Sequence, residues 1–468
     1  MLLIEAGGWD WHPLIAVPIG IGWLWSRRRF DWGYFTEPEP NVGNKRVETA
    51  RGKVVGGSHS INAMAYVRGH RGDYERWAAN GLTEWSYAHV LPYFKRSESW
   101  EDGESEFRGG NGPLTVRRSI RIDPAAEAAL EAAKSTGHEI TPDYNAGRQE
   151  GFGICQWTIR KGRRCSTAAA YLRPALARPN LAVEVRAHAT RILFDGHRAV
   201  GVEYFQHGKV HTVRAEREVI LSGGTINSPH LLMLSGVGDP DHLRRFDINP
   251  TVPLRGVGAN LRDHYSTVVA NARPEPGPFH GLTRLDRLSV AIARCAMGFG
   301  GPASDLPSGI MGFFRTDPAE ALPDIQCLFW AANPAAGPWF PLLRRAWADL
   351  VAFRPVLLRP ESQGSITLGS ANPLDLPRIR KNFLAAAADI RRLRQGIRRM
   401  RELAADAGFA PFRGKELLPG ADVKTDGDLD AFIRSLPATA HHPAGTCRMG
   451  IDADSVVDPE LRLRGVEG

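Results

Sequence analysis

The chain has 468 residues, of which 43% are hydrophobic, 24% charged and 9% aromatic, so disordered, collagenous and coiled-coil classes are excluded. Its 59 Lys and Arg against 51 Asp and Glu leave a net charge of +8. The basic residues fall in short scattered runs, such as Arg27-Arg28-Arg29, with no zinc-finger, RRM or KH pattern beside them. A solvated basic surface is expected, and no nucleic-acid partner. The length fits about three units of roughly 150 residues, or a two-domain enzyme with one large discontinuous fold.

Five cysteines (Cys155, Cys165, Cys295, Cys327, Cys447) are odd in number and widely spaced, without a C-x-x-C pair. That excludes a disulfide scaffold and a structural zinc, and predicts a cytoplasmic location and no metal site. No stretch supplies the roughly 20 apolar residues of a spanning helix. Trp11 to Ser26 is broken by Pro13 and Pro18, and Val219 to Gly238 by Gly223, Gly224 and Pro229. No transmembrane segment is expected. Glu5 and Asp10 stand where a signal peptide carries basic residues. The early tryptophans, Trp9 to Trp32, are expected to pack under a loop.

In chain order, Leu2-Leu3-Ile4-Glu5 reads as a strand ending in a carboxylate and then Gly7-Gly8. That is the pattern of the second strand of a dinucleotide-binding fold, whose acid accepts hydrogen bonds from a ribose. The matching glycine fingerprint belongs about 20 residues upstream, before Met1. Gly298-Phe299-Gly300-Gly301-Pro302-Ala303 matches its letters, but follows a helical stretch and reads as a loop. Ala125 to Ser135 is predicted helical, with Asp123 as N-cap and Pro124 at the first helical position. Strands are predicted at Leu181–Val185, Arg191–Phe194 and Ala199–Tyr204. Turns at Asp195-Gly196 and His207-Gly208 then make a small antiparallel meander. Glu218–Leu221 reads as a buried strand running into Ser222-Gly223-Gly224, with a helix from near Ser228-Pro229. A helix N-terminus after a glycine turn offers amides to a phosphate. Pro-rich segments at 274–278 and 334–341 read as border loops, and Asp389–Leu403 as a helix. Leu461–Arg464 is strand-like, and both ends of the chain read as cut.

Four segments carry the chemistry. They are Gly52-Lys53-Val54-Val55-Gly56-Gly57-Ser58-His59-Ser60-Ile61-Asn62, Gly224 to Gly238, Gly256-Val257-Gly258-Ala259-Asn260-Leu261-Arg262-Asp263-His264, and His441-His442-Pro443-Ala444-Gly445-Thr446-Cys447-Arg448-Met449-Gly450. Small residues in the first let backbone approach a flat ring closely. A histidine in the last has the ordinary pKa of a general base near neutrality. Together, and in this order, the segments resemble the glucose–methanol–choline (GMC) family of FAD-dependent oxidoreductases. The resemblance spans nearly the whole chain, including Trp85 to Phe94 and Leu358 to Gly364.

The resemblance implies an α/β fold: a GMC-type, Rossmann-like FAD-binding domain, incomplete here, and an α+β substrate-binding domain built on an antiparallel sheet. It implies FAD as cofactor and a small-molecule alcohol as substrate, with a quinone or another electron acceptor. Residues 1–65 and 175–265 would form the FAD-binding domain, 66–174 a cap region, 266–440 the substrate domain and 441–468 the catalytic-histidine segment. Glu5 would hold the ribose, and Val185 would lie against the adenine. Ser222 and Gly223 would lie near the diphosphate, and Gly56, Gly57, Ser58 and Asn62 against the isoalloxazine. His442, just before Pro-x-Gly-Thr-Cys, would be the base, with His441 positioning the loop. His59 departs from the family's small hydroxyl residue, and a covalent flavin link is not expected through it.

The family's second catalytic residue and the glycine fingerprint would lie outside the chain, and losing them could abolish FAD affinity. The leading reading is thus an FAD-dependent alcohol dehydrogenase, choline-dehydrogenase-like. A hydroxynitrile-lyase-like member and an inactive truncated remnant are the alternatives. A trimethylammonium substrate would call for an aromatic cage and a nearby carboxylate, for which Trp330, Trp339 and Phe340 are the candidate aromatics.

Overall fold

A computed structural model describes residues 1–468. Its largest element is an eight-stranded antiparallel sheet. Along the main path the order is Glu416–Leu418, Val269–Ala272, Leu350–Leu357, Ile325–Trp330, Ile310–Phe314 and Gly151–Ile154. Tyr265–Ser266 pairs with both Leu350–Leu357 and Ala438–Thr439. The strand Gly151–Ile154 therefore joins, from the region read as a cap, the sheet built mainly by residues 266–440.

Side-chain alternation gives this sheet two different faces. Ile325, Cys327 and Phe329, with Val351, Phe353 and Leu357, enter the main core. There they meet Leu393, Ile397, Met400 and Leu403 of the helix Ala387–Ala405 and the alanines of the helix Pro124–Ser135. Gly396 lets the former helix approach closely, since a Cβ there would sit 3.0 Å from Pro355 Cβ. The other face presents Gln326, Leu328 and Trp330, paired in register with Val356, Arg354 and Ala352. Met311 and Phe313 on that side pack with Met64, Tyr144 and Trp157.

The dinucleotide-type half begins with Leu2–Glu5, parallel to Ala182–Val185, with Glu5 opposite Val185. Beside it lies the expected meander of His188–Asp195, Arg198–Gln206 and Lys209–Arg214. His207 and Gly208 both adopt positive φ at its second turn, as a two-residue hairpin loop requires. The helix Pro124–Ser135 starts as predicted, the Asp123 carboxylate accepting from the Ala125 amide at 2.8 Å.

Three expectations are corrected. Glu218–Leu221 is extended but joins no strand: the Val219 amide donates to the Gly468 carbonyl at 2.7 Å, and Ile220 is 67% exposed. The helix that follows begins at Gly224, not near Ser228, and carries Pro229 inside it. Leu461–Arg464 forms only an isolated bridge, Leu463 to Val457. Of the early tryptophans, Trp11 stacks on Trp9 at 5.1 Å yet stays 71% exposed. All five cysteines are free thiols, and no helix is long and apolar enough to cross a membrane.

Candidate active site

The four glycine-rich segments converge through hydrogen bonds between their ends. Arg262 and Ala444 exchange backbone hydrogen bonds, at 2.9 and 2.8 Å. Thr225 Oγ1 donates to the Pro443 carbonyl at 2.8 Å, and Thr446 Oγ1 returns a bond to the Thr225 carbonyl at 2.6 Å. Arg51, just before the first segment, donates to the His441 carbonyl at 2.6 Å. Gly445 is needed at its turn: its φ is +96°, and a Cβ would lie 2.4 Å from the Asn260 carbonyl.

These bonds fix His442 from several sides. Its amide donates to Asp263 Oδ1 at 2.9 Å. Its ring Nδ1 lies 3.2 Å from His264 Nδ1, with the two rings edge to face. Asp263 is fully buried, accepts from Thr439 Oγ1 at 2.6 Å and pairs with the equally buried Lys381 at 2.6 Å. Burial alone would raise the Asp263 pKa, but the Lys381 charge and these hydrogen bonds bring it down to about 2. Burial, then the His264 ring, hold His442 down at about 4, with Arg51 and Arg354 adding to the effect. Near neutral pH it is an uncharged imidazole with a lone pair to offer. His441 takes positive φ and is also held neutral, mainly by burial.

The residues read as cofactor ligands form a second group. Glu5, Gly56 and Ser222 line one cavity of about 480 Å³, together with Val55, Thr167 and Tyr171. Burial lifts the Glu5 carboxyl to about 7, although the Gly7 amide donates to it at 2.6 Å and Lys53 lies nearby. Gly7 packs on the Lys53 carbonyl so closely that a Cβ would lie 2.0 Å away. Val185 sits beside Glu5 in register. Gly56 and Gly57 take positive φ, and Ser58 Oγ accepts from the Gly52 amide at 3.1 Å. Gly223 immediately precedes the helix Gly224–Leu234, whose first amides lack intrahelical partners. Asn62 is held from another side, its Oδ1 accepting from Arg164 at 2.9 Å. His59 turns toward Thr158 Oγ1 at 3.1 Å.

Sequence reasoning missed His264, Asp263, Lys381 and Arg354. The first two lie inside a segment singled out for its pattern; the other two come from positions more than 80 residues away and carry no local signature. Of the three candidate aromatics, Trp330 lies on the sheet face with Arg354. Trp339 packs on His280, and Phe340 bridges to Arg344.

Two sequence profiles of the GMC oxidoreductases, N-terminal and C-terminal, match residues 24–266 and 360–468. The chain belongs to the GMC oxidoreductase family. It is 43% identical to mitochondrial choline dehydrogenase of Mus musculus, over all of this chain and 79% of that protein. It is 40% identical to the oxygen-dependent choline dehydrogenase of Rhizobium johnstonii, over all of this chain and 85% of that one. Among solved structures, pyridoxine 4-oxidase from Mesorbium loti superposes with a TM-score of 0.87 at 29% identity, covering 100% and 87% of the two chains. A formate oxidase does so with 0.89 at 27%, covering 99% and 87%. The protein is an FAD-dependent oxidoreductase of the alcohol/choline-dehydrogenase type, and FAD is its cofactor. The residues present fit a flavin. Arg164 Nη2 and Trp157 Nε1 are buried donors without a partner, and the Gly56-Gly57 turn leaves open space where a Cβ of Gly57 would point.

Proposed function

We propose that this GMC oxidoreductase oxidises the CH–OH group of an alcohol, with His442 as the base. FAD, when bound, supplies the acceptor for the hydride that leaves the carbinol carbon. The observation that carries the reading is the His442–His264 contact. With His442 Nδ1–H donating to His264 Nδ1, His442 Nε2 keeps the lone pair that takes the hydroxyl proton. The Asp263 bond to the His442 amide holds the loop while the proton moves.

On the same reading Glu5 binds the ribose, Val185 packs against the adenine, and the Ser222-Gly223 turn offers amides to the diphosphate. Gly56, Gly57, Ser58 and Asn62 face the isoalloxazine, with Arg164 Nη2 and Trp157 Nε1 as further donors. On this reading residues 1–65 and 175–265 serve the flavin, 66–174 and 266–440 enclose the substrate, and 441–468 carry the catalytic histidine. An acceptor such as a quinone reoxidises the flavin, and the five free thiols suit a reducing cytoplasm.

The test is the visible spectrum of the purified protein. A flavin spectrum released on denaturation and bleached anaerobically by alcohols is the expected result. A protein that FAD cannot reconstitute, or whose flavin no alcohol bleaches, would overturn the reading.

A further inference from the structure

Two buried arginines pair with no carboxylate: Arg164, which donates to the Ile15 and Asn62 carbonyls and to Asn62 Oδ1, and Arg354. Arg108 is paired with Glu98 and Asp143, Arg68 with Glu98 and Arg273 with Asp123. Arg354 has no carboxylate within ion-pair distance. Its Nε and Nη2 donate to Ser266 Oγ at 3.0 and 2.7 Å, and Nη2 also donates to the Thr439 carbonyl at 2.8 Å. Its guanidinium lies over the Trp330 ring at 5.4 Å. A guanidinium has five N–H donors; here the Nη1 pair meets no protein acceptor. Burial without a counter-charge is costly and lowers the Arg354 pKa to about 10.

The position of this charge matters. Ser266 follows His264 by two residues, and Thr439 precedes His442 by three. Arg354 lies on the sheet face turned away from the helical core, and His442 feels its charge. The charges acting on His442 are those of Arg51 and Arg354 and the carboxylate of Asp263. Asp263 is already committed to Lys381, Thr439 and the His442 amide. An anion would complete the Arg354 shell by a charge-assisted pair.

We propose that the alcohol oxidised here is a hydroxy acid whose carboxylate is bound by the free edge of Arg354. This rests on His442 being the base of an alcohol oxidation. In the reaction the carbinol O–H and C–H bonds break and its C=O forms. The proton goes to His442 Nε2, the hydride with its electron pair to the flavin, and the carboxylate stays unchanged, so the product is an oxo acid.

The FAD-loaded protein is mixed anaerobically with glycolate, 3-hydroxypropanoate and 4-hydroxybutanoate, and separately with 1-propanol, 1-butanol and choline. At least one hydroxy acid is expected to bleach the flavin 10-fold or more faster, at equal low concentration, than its neutral counterpart and than choline. Equal or faster bleaching by choline or the neutral alcohols would overturn the proposal. Arg354→Gln should remove the preference and raise the hydroxy-acid KM at least 10-fold, while Arg354→Lys should restore part of it. Butanoate, which has no hydroxyl, separates the two readings by calorimetry. If no alcohol bleaches the flavin but butanoate binds the wild type and not Arg354→Gln, the base assignment fails and the anion site stands. If alcohols are oxidised but butanoate binds neither protein, the anion site fails and the oxidation stands. Should Arg354→Gln not fold, the wild-type substrate panel decides alone.

Discussion

His442 and His264 meet Nδ1 to Nδ1 at 3.2 Å, with ring planes at 85°. Two neutral imidazoles can share such a contact only if one bears the proton on Nδ1 and the other does not. In the arrangement proposed here His442 donates and His264 accepts, so the His442 Nε2 lone pair is left free.

Replacing His442 by Ala should therefore lower the rate of anaerobic flavin reduction by about 10²–10⁴-fold, the usual weight of a general base, with FAD content unchanged. The pH profile carries the sign. Burial and the His264 ring hold His442 at about 4, so it is deprotonated and competent above that pH. Reduction should be flat from pH 6 upward and fall only as pH drops toward 4. An acid limb centred near pH 6.5 would contradict the arrangement.

His264 is a positioning residue on this account, and its variants separate position from mere bulk. Asn at 264 can still accept from His442 Nδ1–H; Ala cannot. His264→Asn should retain most of the reduction rate, and His264→Ala should lose about 10-fold or more, in the range of a mispositioned catalytic group. In the Ala variant the acid limb should also move to higher pH, since part of the burial that holds the His442 pKa down has gone. Equal rates for the two variants, with no shift of the limb, would show that His264 only fills space.

Asp263 and Lys381 form the buried pair beneath this site. Asp263→Asn would take from the buried Lys381 its ion-pair partner, a loss of about 3–5 kcal/mol when one partner of a buried pair is removed. A markedly lower melting temperature is expected, with partial recovery in Asp263→Asn, Lys381→Met. For pH, the Asp263 pKa near 2 lies below its unfolded value. Its contribution is complete above about pH 4 and is lost as pH falls through 2. The Asn variant should lack that acid limb in a melting-temperature profile.

How much of this could be read from the residues depends on how local the cause is. Asp123-Pro124 marks a helix start because the cap and the preset φ act within one turn, and His207-Gly208 marks a hairpin for a similar reason. Glu218–Leu221 has the composition of a buried strand but lies open, because strand state depends on a neighbour. The pairing of Gly151–Ile154 with Ile310–Phe314 crosses more than 150 residues and leaves no periodic trace. The site divides in the same way. His442 and the glycine turns stand in compact motifs, whereas Lys381 and Arg354 are single cations that the sheet and its flanking segments deliver from afar.

Glu5 offers a prediction in which stability and cofactor binding move in opposite directions. Burial raises its carboxyl to about 7, against 4.5 in the unfolded chain, with the Gly7 amide and Lys53 opposing. The folded state therefore holds the proton more tightly. Stability is greatest below about pH 4.5, and the cost of ionising Glu5 grows until it is complete above pH 7. Glu5→Gln removes that cost. In the FAD-free protein it should gain nothing at pH 4 and up to about 3 kcal/mol at pH 8, since a tenfold difference in proton affinity between the folded and unfolded chain is worth roughly 1.4 kcal/mol. With FAD present, ribose hydroxyls donating to the carboxylate would favour the wild type, so Glu5→Gln should bind FAD more weakly. Melting temperatures at pH 4 and 8, with and without FAD, test both effects. A Gln variant that gains stability at pH 8 and binds FAD as tightly as the wild type would remove Glu5 from the ribose site while leaving its burial intact.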